Sequence, residues 1–468
     1  MGIAFPLIIS CGVWSLMYFF DRMFLMWHAK EAMAASMPAG VFYFMLICLP
    51  LGVAMYTNTF VSQYYGAGMH HRIGPAVWQG AGLGLVLMPV YWLITPWGEQ
   101  IFTLFGHTPT LVDNESIYFR FLMYGSGAAI ASESLSAFFV GRGKNHVVMM
   151  VNVVTVLLNI VLDYALIFGA FGLPAWGIAG AGAATTAAHW FRVAFLLGLM
   201  FLDQEPGVDY QLARGMRFDR DLFFRMLRFG GPNGFQIFAE IAAFSLFIMV
   251  IGSLSDNAMA ATTIAFNMNT LGFMPLLGIG IAVMTIVGRQ LGDDRPDLAE
   301  RGTYSAFILG TIYMGVLAVL FVTIPDVLLM GYAWFSDPEQ FAAIRQPAIV
   351  LMRFVAAYTF FDAQMVIFVN AIKGAGDTRF VLLVSILMAP LLLLGCWVGI
   401  AFFGLGLYWC WSVLSVWIFL CGVIYFRRFR RGKWRTMRVI ESPVVPFLEE
   451  DESPIPEDGP SAGSPTTA

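Results

Sequence analysis

Five carboxylates, Asp21, Glu133, Asp163, Glu240 and Asp362, lie inside long apolar runs of the 468-residue chain. An ionised group at the centre of a bilayer costs at least about 3 kcal/mol, so each must face a cavity or a partner. Two carry a polar residue one helical turn earlier, Asn159 before Asp163 and Tyr358 before Asp362. Residues at i and i+4 share a helix face, so each pair converges on one site for a small cation or a proton. For any single carboxylate the alternative is a hydrogen bond to a neighbouring helix that serves packing alone. Five together favour an ion pathway, and Glu240 and Asp362 are expected to share one polar cavity in the second half of the chain. Glu133 is set apart. It lies eight residues before Gly141, roughly 12 Å from the helix end at about 1.5 Å per residue, within reach of the interface, and is not counted with the site residues.

The elements that must hold these groups are membrane helices. Hydrophobic residues make up 59% of the chain and charged ones 12%, and mean hydropathy is +0.74, outside the range of soluble domains. A bilayer core is crossed by roughly 20 apolar residues. Runs of that kind predict twelve spans, at 2–28, 36–64, 75–96, 113–140, 145–169, 175–202, 225–252, 257–288, 300–325, 345–373, 378–403 and 405–427. A β-barrel would instead show segments of about ten alternating residues, which are absent. The first run has no basic leader or small-residue cleavage site and is read as helix one. Pro6, Pro50, Pro89, Pro232, Pro275 and Pro390 enter the runs, each removing a backbone donor and marking a kink or a bending point.

Lysine and arginine translocate poorly and so report orientation. With the N-terminus inside, 20 of the 26 fall on inside segments and two, Lys30 and Arg345, on outside loops. Arg22, Arg120, Arg192 and Arg353 lie within spans or at their ends. Both termini are therefore expected on the cytoplasmic side of a cell (inner or plasma) membrane. Cys11, Cys48, Cys396, Cys410 and Cys421 sit in apolar runs without paired or metal-like spacing and read as packing residues. From Glu441 onward the chain is proline-rich, with seven carboxylates and no base, too polar to bury a core.

The two halves repeat. Phe5-Pro6 matches Gly231-Pro232 and Val61–Gly66 (VSQYYG) matches Val287–Gly292 (VGRQLG), both at an offset of 226; the Gly141-Arg-Gly143 stretch matches Gly374-Ala-Gly376 at 233. The expected architecture is all-α: twelve transmembrane helices in two pseudo-symmetric six-helix lobes, with substrate bound between lobes that rock around it. The lobes are assigned to 1–203 and 225–430, joined by a cytoplasmic linker at 204–224. A basic, then acidic and disordered tail is assigned to 431–468.

The stretch Gly141–Trp190, GRGKNHVVMMVNVVTVLLNIVLDYALIFGAFGLPAWGIAGAGAATTAAHW, resembles in order three signatures of the multidrug and toxic compound extrusion (MATE) family, in its NorM-like bacterial branch. Gly231-Pro-Asn-Gly-Phe-Gln236 with Glu240, and Asp362 with the GAGDT from Gly374, resemble its helix-seven and helix-ten motifs. The resemblance covers about residues 1–430. It implies the MATE fold of the MOP flippase-like type, and export of organic cations and amphiphiles against a Na+ or H+ gradient. By the same resemblance Asp21, Asn159, Asp163 and Thr185 form a cation site in the first lobe, Glu240, Tyr358 and Asp362 one in the second, and Pro6 is a hinge. At the family's usual glycine five residues after Asp21 this chain has Met26.

Other functions fit less well. A lipid-linked oligosaccharide flippase of the same superfamily would need several cationic side chains in its cavity, whereas the embedded residues here are mainly acidic. A membrane enzyme would need a nucleophile or a His/Asp constellation at one interface, and the six histidines are scattered. The expected partners are a small cationic or amphiphilic substrate and membrane lipid, with no nucleic acid, no cofactor beyond the coupling ion, no metal beyond Na+, and a monomeric state.

Overall fold

The computed structural model describes residues 4–104, 106–203, 205–333 and 338–441. It is all-helical. The first half contains α1 (Ala4–His28), α2 (Lys30–Gly66), α3 (Ile73–Ile94), the short α4 (Gly98–Leu104), α5 (Pro109–Val140), α6 (Asn145–Phe168) and α7 (Ile178–Leu202). The second contains α8 (Arg220–Gly252), α9 (Asp256–Gly292), α10 (Pro296–Thr323), the short α11 (Pro325–Ala333), α12 (Pro338–Ala375), α13 (Thr378–Phe403) and α14 (Leu407–Arg430).

Among the described residues, eleven helices are long and apolar enough to cross a membrane, one fewer than the twelve spans expected. The difference is α5, which is long enough at 32 residues but carries Asp113, Glu115, Arg120, Glu133 and a run of serines. It packs against α2, α3 and α7, and most of its last three turns is buried. A helix enclosed by others does not need a lipid-compatible surface, so apolarity alone undercounts it.

Each half has its own core, around Phe24, Phe119 and Ile130 in the first and Phe247, Tyr358 and Trp411 in the second. A third cluster runs continuously from Phe60 and Phe138 to Val287 and Phe368 and so joins the halves at one end. The junction obeys the repeat. A Cβ on Gly66 would overlap the Arg289 carbonyl, and one on its counterpart Gly292 would overlap the Gln63 carbonyl. Likewise Gly52 meets the Gly234 backbone and its counterpart Gly278 meets that of Ile8. Helices α1 and α2 of one half thus pack on α9 and α8 of the other through small residues that let backbones touch. Gly143 and Gly376, the matched pair at offset 233, both take left-handed conformations, with φ of 82° and 111°.

The linker is packed: Trp78 Nε1 donates to the Leu212 carbonyl at 2.7 Å and Gln79 Nε2 to that of Arg217 at 3.0 Å. The expectation of a disordered tail from 431 is corrected as far as Glu441. Trp434 is buried and stacks on Phe429 at 4.7 Å, and the Val439 N–H donates to Gln63 Oε1 at 2.8 Å. Glu441 accepts from Arg72 Nε at 2.8 Å and Tyr64 at 2.9 Å, and pairs with Arg225. The basic residues that made this stretch look solvated find carboxylates instead, Arg438 on Asp294 at 2.8 Å and Arg435 on Glu300. The remainder of the tail assignment, 442–468, lies outside the described residues.

Candidate functional site

In the first half Asp21 on α1 and Asp163 on α6 come together. The helices are held by ring contacts of Phe24 with Tyr164 and Phe168, at 5.9 and 6.1 Å. Both carboxylates are buried, as is Asn159 one turn before Asp163, so the i, i+4 face points inward as expected. Asp163 Oδ1 and Oδ2, Asn159 Oδ1 and Nδ2, and Asp21 Oδ1 have no hydrogen-bond partner among the described residues. Asp21 Oδ2 accepts from the Tyr118 hydroxyl on α5 at 3.0 Å, a member that sequence reading did not pick out. Asn114 and Glu115 lie one turn before it, but a pattern that starts from carboxylates passes over a tyrosine. Thr185 on α7 is buried, and no hydrogen bond ties it to the other three in the described structure.

Buried polar groups are normally paired, and an ionised carboxylate without a partner is the most costly exception. Four oxygens facing inward from α1 and α6 are a donor set suited to a small hard cation, and equally to a proton shared between carboxylates.

The second half differs. Glu240 on α8 accepts from Gln236 at 2.7 Å and from Ser385 on α13 at 3.4 Å, and it lines a small cavity of about 60 Å³ whose other walls are apolar apart from Ser385. Tyr358 and Asp362 are buried on α12 but do not line that cavity. Around this cavity α8 presents its carboxylate toward α13 and α14. Pro6 lies near the start of the described part of α1. Arg22, next to Asp21, is exposed.

A larger cavity of about 480 Å³ lies between the halves. Trp14, Tyr18 and Asn58 face it from the first half and Met274, Ile281 and Met284 from α9. None of the sequence-predicted site residues lines it. Glu133, set apart in the sequence, does. Its Oε1 accepts from Arg192 Nη1 at 2.7 Å. Eight residues from the helix end is deep enough to reach the space between the lobes.

The MatE family model matches the chain twice, over residues 6–165 and 232–398. The chain belongs to this family. The two matches begin 226 residues apart, the offset of the internal repeat, so each lobe of this MATE transporter is one copy of the family unit. Among curated relatives, the multidrug resistance protein PmpM of Pseudomonas aeruginosa is 29% identical over 392 residues, 82% of this chain and 80% of that one. A probable multidrug resistance protein NorM of Mesorhizobium japonicum is 24% identical, with 81% of each chain covered. The MATE fold is shared with solved structures. One is the outward-facing conformation of a multidrug resistance MATE family transporter of the MOP superfamily, with a TM-score of 0.83 at 19% identity over 92% of this chain and 95% of that one. Another is the eukaryotic MATE transporter AtDTX14, with a TM-score of 0.79 at 18% identity over 93% and 95%.

Proposed function

We propose that this multi-pass membrane transporter is a secondary antiporter that exports organic cations and other amphiphiles in exchange for Na+ or H+. The observation that carries the reading is the set of unpartnered inward oxygens on Asp163, Asn159 and Asp21. A site of that kind is stable only with a cation or a proton in it. Its occupancy biases the lobes toward the conformation that binds it more tightly, and that difference in affinity is what couples a gradient to movement. The multidrug resistance names of the relatives support the substrate class.

In the other lobe Tyr358 with Asp362 on α12, and Glu240 on α8, are further polar groups within membrane helices, which would serve the substrate path or a second ion. The chain works as a monomer in the cell membrane, with the arginine-rich end that holds Arg72, Arg225 and Arg428 in the cytoplasm. A flippase for pyrophosphate-linked sugars is disfavoured because the one arginine lining the large cavity, Arg192, is already engaged by Glu133.

The test is dye efflux in everted vesicles with Na+ and H+ gradients imposed separately. Uptake driven by one of them supports the reading. Uptake that follows neither gradient rejects it.

A further inference from the structure

The carboxylates proposed for ion coupling do not line the large cavity, yet that cavity has a charged wall of its own. Arg192 is fixed there on every side: Nε donates to Asn152 Oδ1 at 3.1 Å, Nη1 to Ser132 at 2.9 Å and Glu133 at 2.7 Å, and Nη2 to Ser136 at 3.0 Å. Its guanidinium also lies 5.1 Å from the Trp14 ring centre. The asymmetry of exposure decides what a ligand meets. The Arg192 side chain is 3% exposed and that of Glu133 is 28% exposed, so a ligand in the cavity meets the carboxylate far more than the guanidinium. No hydrogen bond engages Glu133 Oε2 among the described residues. Beside it His189 stacks on Trp14 at 6.0 Å, its Nδ1 buried and without a partner.

We propose that Glu133 is the contact for the positive charge of the transported molecule, with Trp14 and Tyr18 as aromatic walls. Ion and substrate then occupy different carboxylates of the same lobe. The proposal rests on the cation-export reading above and adds the site. Arg192 holds the carboxylate in one geometry, with no long side chain left to order when a ligand arrives. Aromatic faces add attraction for a cation once water is displaced. An anion finds no free cationic group, because the arginine on this wall is saturated and covered. The ligand class is a lipophilic monocation that carries aromatic rings, and the walls exclude its anionic counterpart.

Tetraphenylphosphonium and tetraphenylborate have the same shape and opposite charge, and equilibrium binding of each to the purified full-length protein tests the proposal. Wild type is expected to prefer the phosphonium, and Glu133→Gln to lose about tenfold or more in its affinity while borate binding is unchanged. Glutamine keeps an acceptor for Arg192, which favours folding. A second measurement needs no variant. Cys11 lines the cavity, whereas the other four cysteines are buried, so maleimide labelling of Cys11 should be slowed by the phosphonium and not by the borate. A Glu133→Gln protein that binds the phosphonium within twofold of wild type overturns the site, as does unprotected Cys11 at saturating phosphonium. Wild type that neither binds the phosphonium nor exports a cation under either gradient overturns the cation-export reading itself.

Discussion

Gly66 at the end of α2 and Gly292 at the end of α9 seat against each other's helices in the same way. At each an added Cβ would run into a backbone carbonyl of the partner, Arg289 for Gly66 and Gln63 for Gly292. Around them Gln63 Nε2 donates to the Gly374 carbonyl at 2.9 Å, Tyr56 to that of Lys373 at 2.7 Å, and Asn58 Nδ2 to Thr285 Oγ1 at 2.9 Å. The lobes are thus closed at this end, with the large cavity on their other side.

A methyl group at either glycine must push backbone away from backbone. Gly66→Ala and Gly292→Ala are each expected to cost about 1–3 kcal/mol, as overpacking does. Gly82→Ala in α3 is the control, since nothing lies within 4 Å of an added Cβ there; it should be neutral or stabilising by up to about 1 kcal/mol. Thermal unfolding in detergent checks this, and equal behaviour of all three would mean the closure is loose.

Glu441 fastens the C-terminal segment to both lobes. Burial opposes its ionisation, but hydrogen bonds from the backbone and Tyr64 and the charges of Arg72 and Arg225 outweigh it, so its carboxyl is held below the ordinary 4.5. A depressed folded value means the contribution to stability is complete above about pH 4.5 and is lost as pH falls through the folded value. Wild type should therefore lose more stability than Glu441→Gln on acidification from pH 5 to pH 3. Asp219 and Glu205 are held low in a similar way and respond in both proteins, so the difference between the two melting curves isolates Glu441. Parallel curves would show the latch to be ornamental.

Orientation gives a third prediction. The arginine-rich loops gather at the closed end, where Arg142 meets Asp203 at 3.1 Å and Arg428 meets Asp377 at 2.7 Å. Reporter fusions after Arg217 and after Arg438 should both read cytoplasmic. A periplasmic reading at either position would reverse the proposed topology.

The repeat was legible because it is backbone chemistry. Glycines at offsets 226 and 233 mark where helices touch or chains turn, and each demand recurs in both lobes. The charges are not repeated. The position 226 residues after Asp21 is Phe247 and the one 226 before Glu240 is Trp14, so symmetry gives no second chance to find a site. Asp163 was legible through Asn159, its neighbour one turn back. Tyr118 has Asn114 one turn back but is not a carboxylate, and the Glu133–Arg192 pair joins residues 59 apart on different helices. An arginine inside a predicted span is itself a reason to look for a partner, and Arg192 is the residue from which that cluster was within reach. The folded tail was missed because composition reports net charge and not which carboxylates wait on the neighbouring elements, here Asp294 and Glu300.

The Tyr118 hydroxyl supplies the one hydrogen bond that Asp21 accepts in the described structure. Bonds of this kind to a charged group are worth about 1.5–3 kcal/mol. Tyr118→Phe should keep the maximal rate of export while shifting its dependence on the coupling ion by about tenfold or more. An unchanged ion dependence would remove Tyr118 from the site.

Asp163 is expected to be the residue on which coupling depends most. It is fully buried on the α6 face it shares with Asn159, and neither of its oxygens has a partner. A structural carboxylate would be expected to hold a neighbouring helix through at least one hydrogen bond. Asparagine keeps the shape and removes the charge, and it relieves the cost of an unpaired buried carboxylate. Asp163→Asn should therefore express and melt at least as well as wild type while gradient-driven export is lost under both ions. Asp21→Asn should lose export as well. If the two carboxylates share one ion, the double variant should lose no more than either single one, since residues acting as a unit are not additive. Wild-type export by Asp163→Asn would make the residue structural. Additive partial losses in the double variant would instead mean two ions or two separate steps.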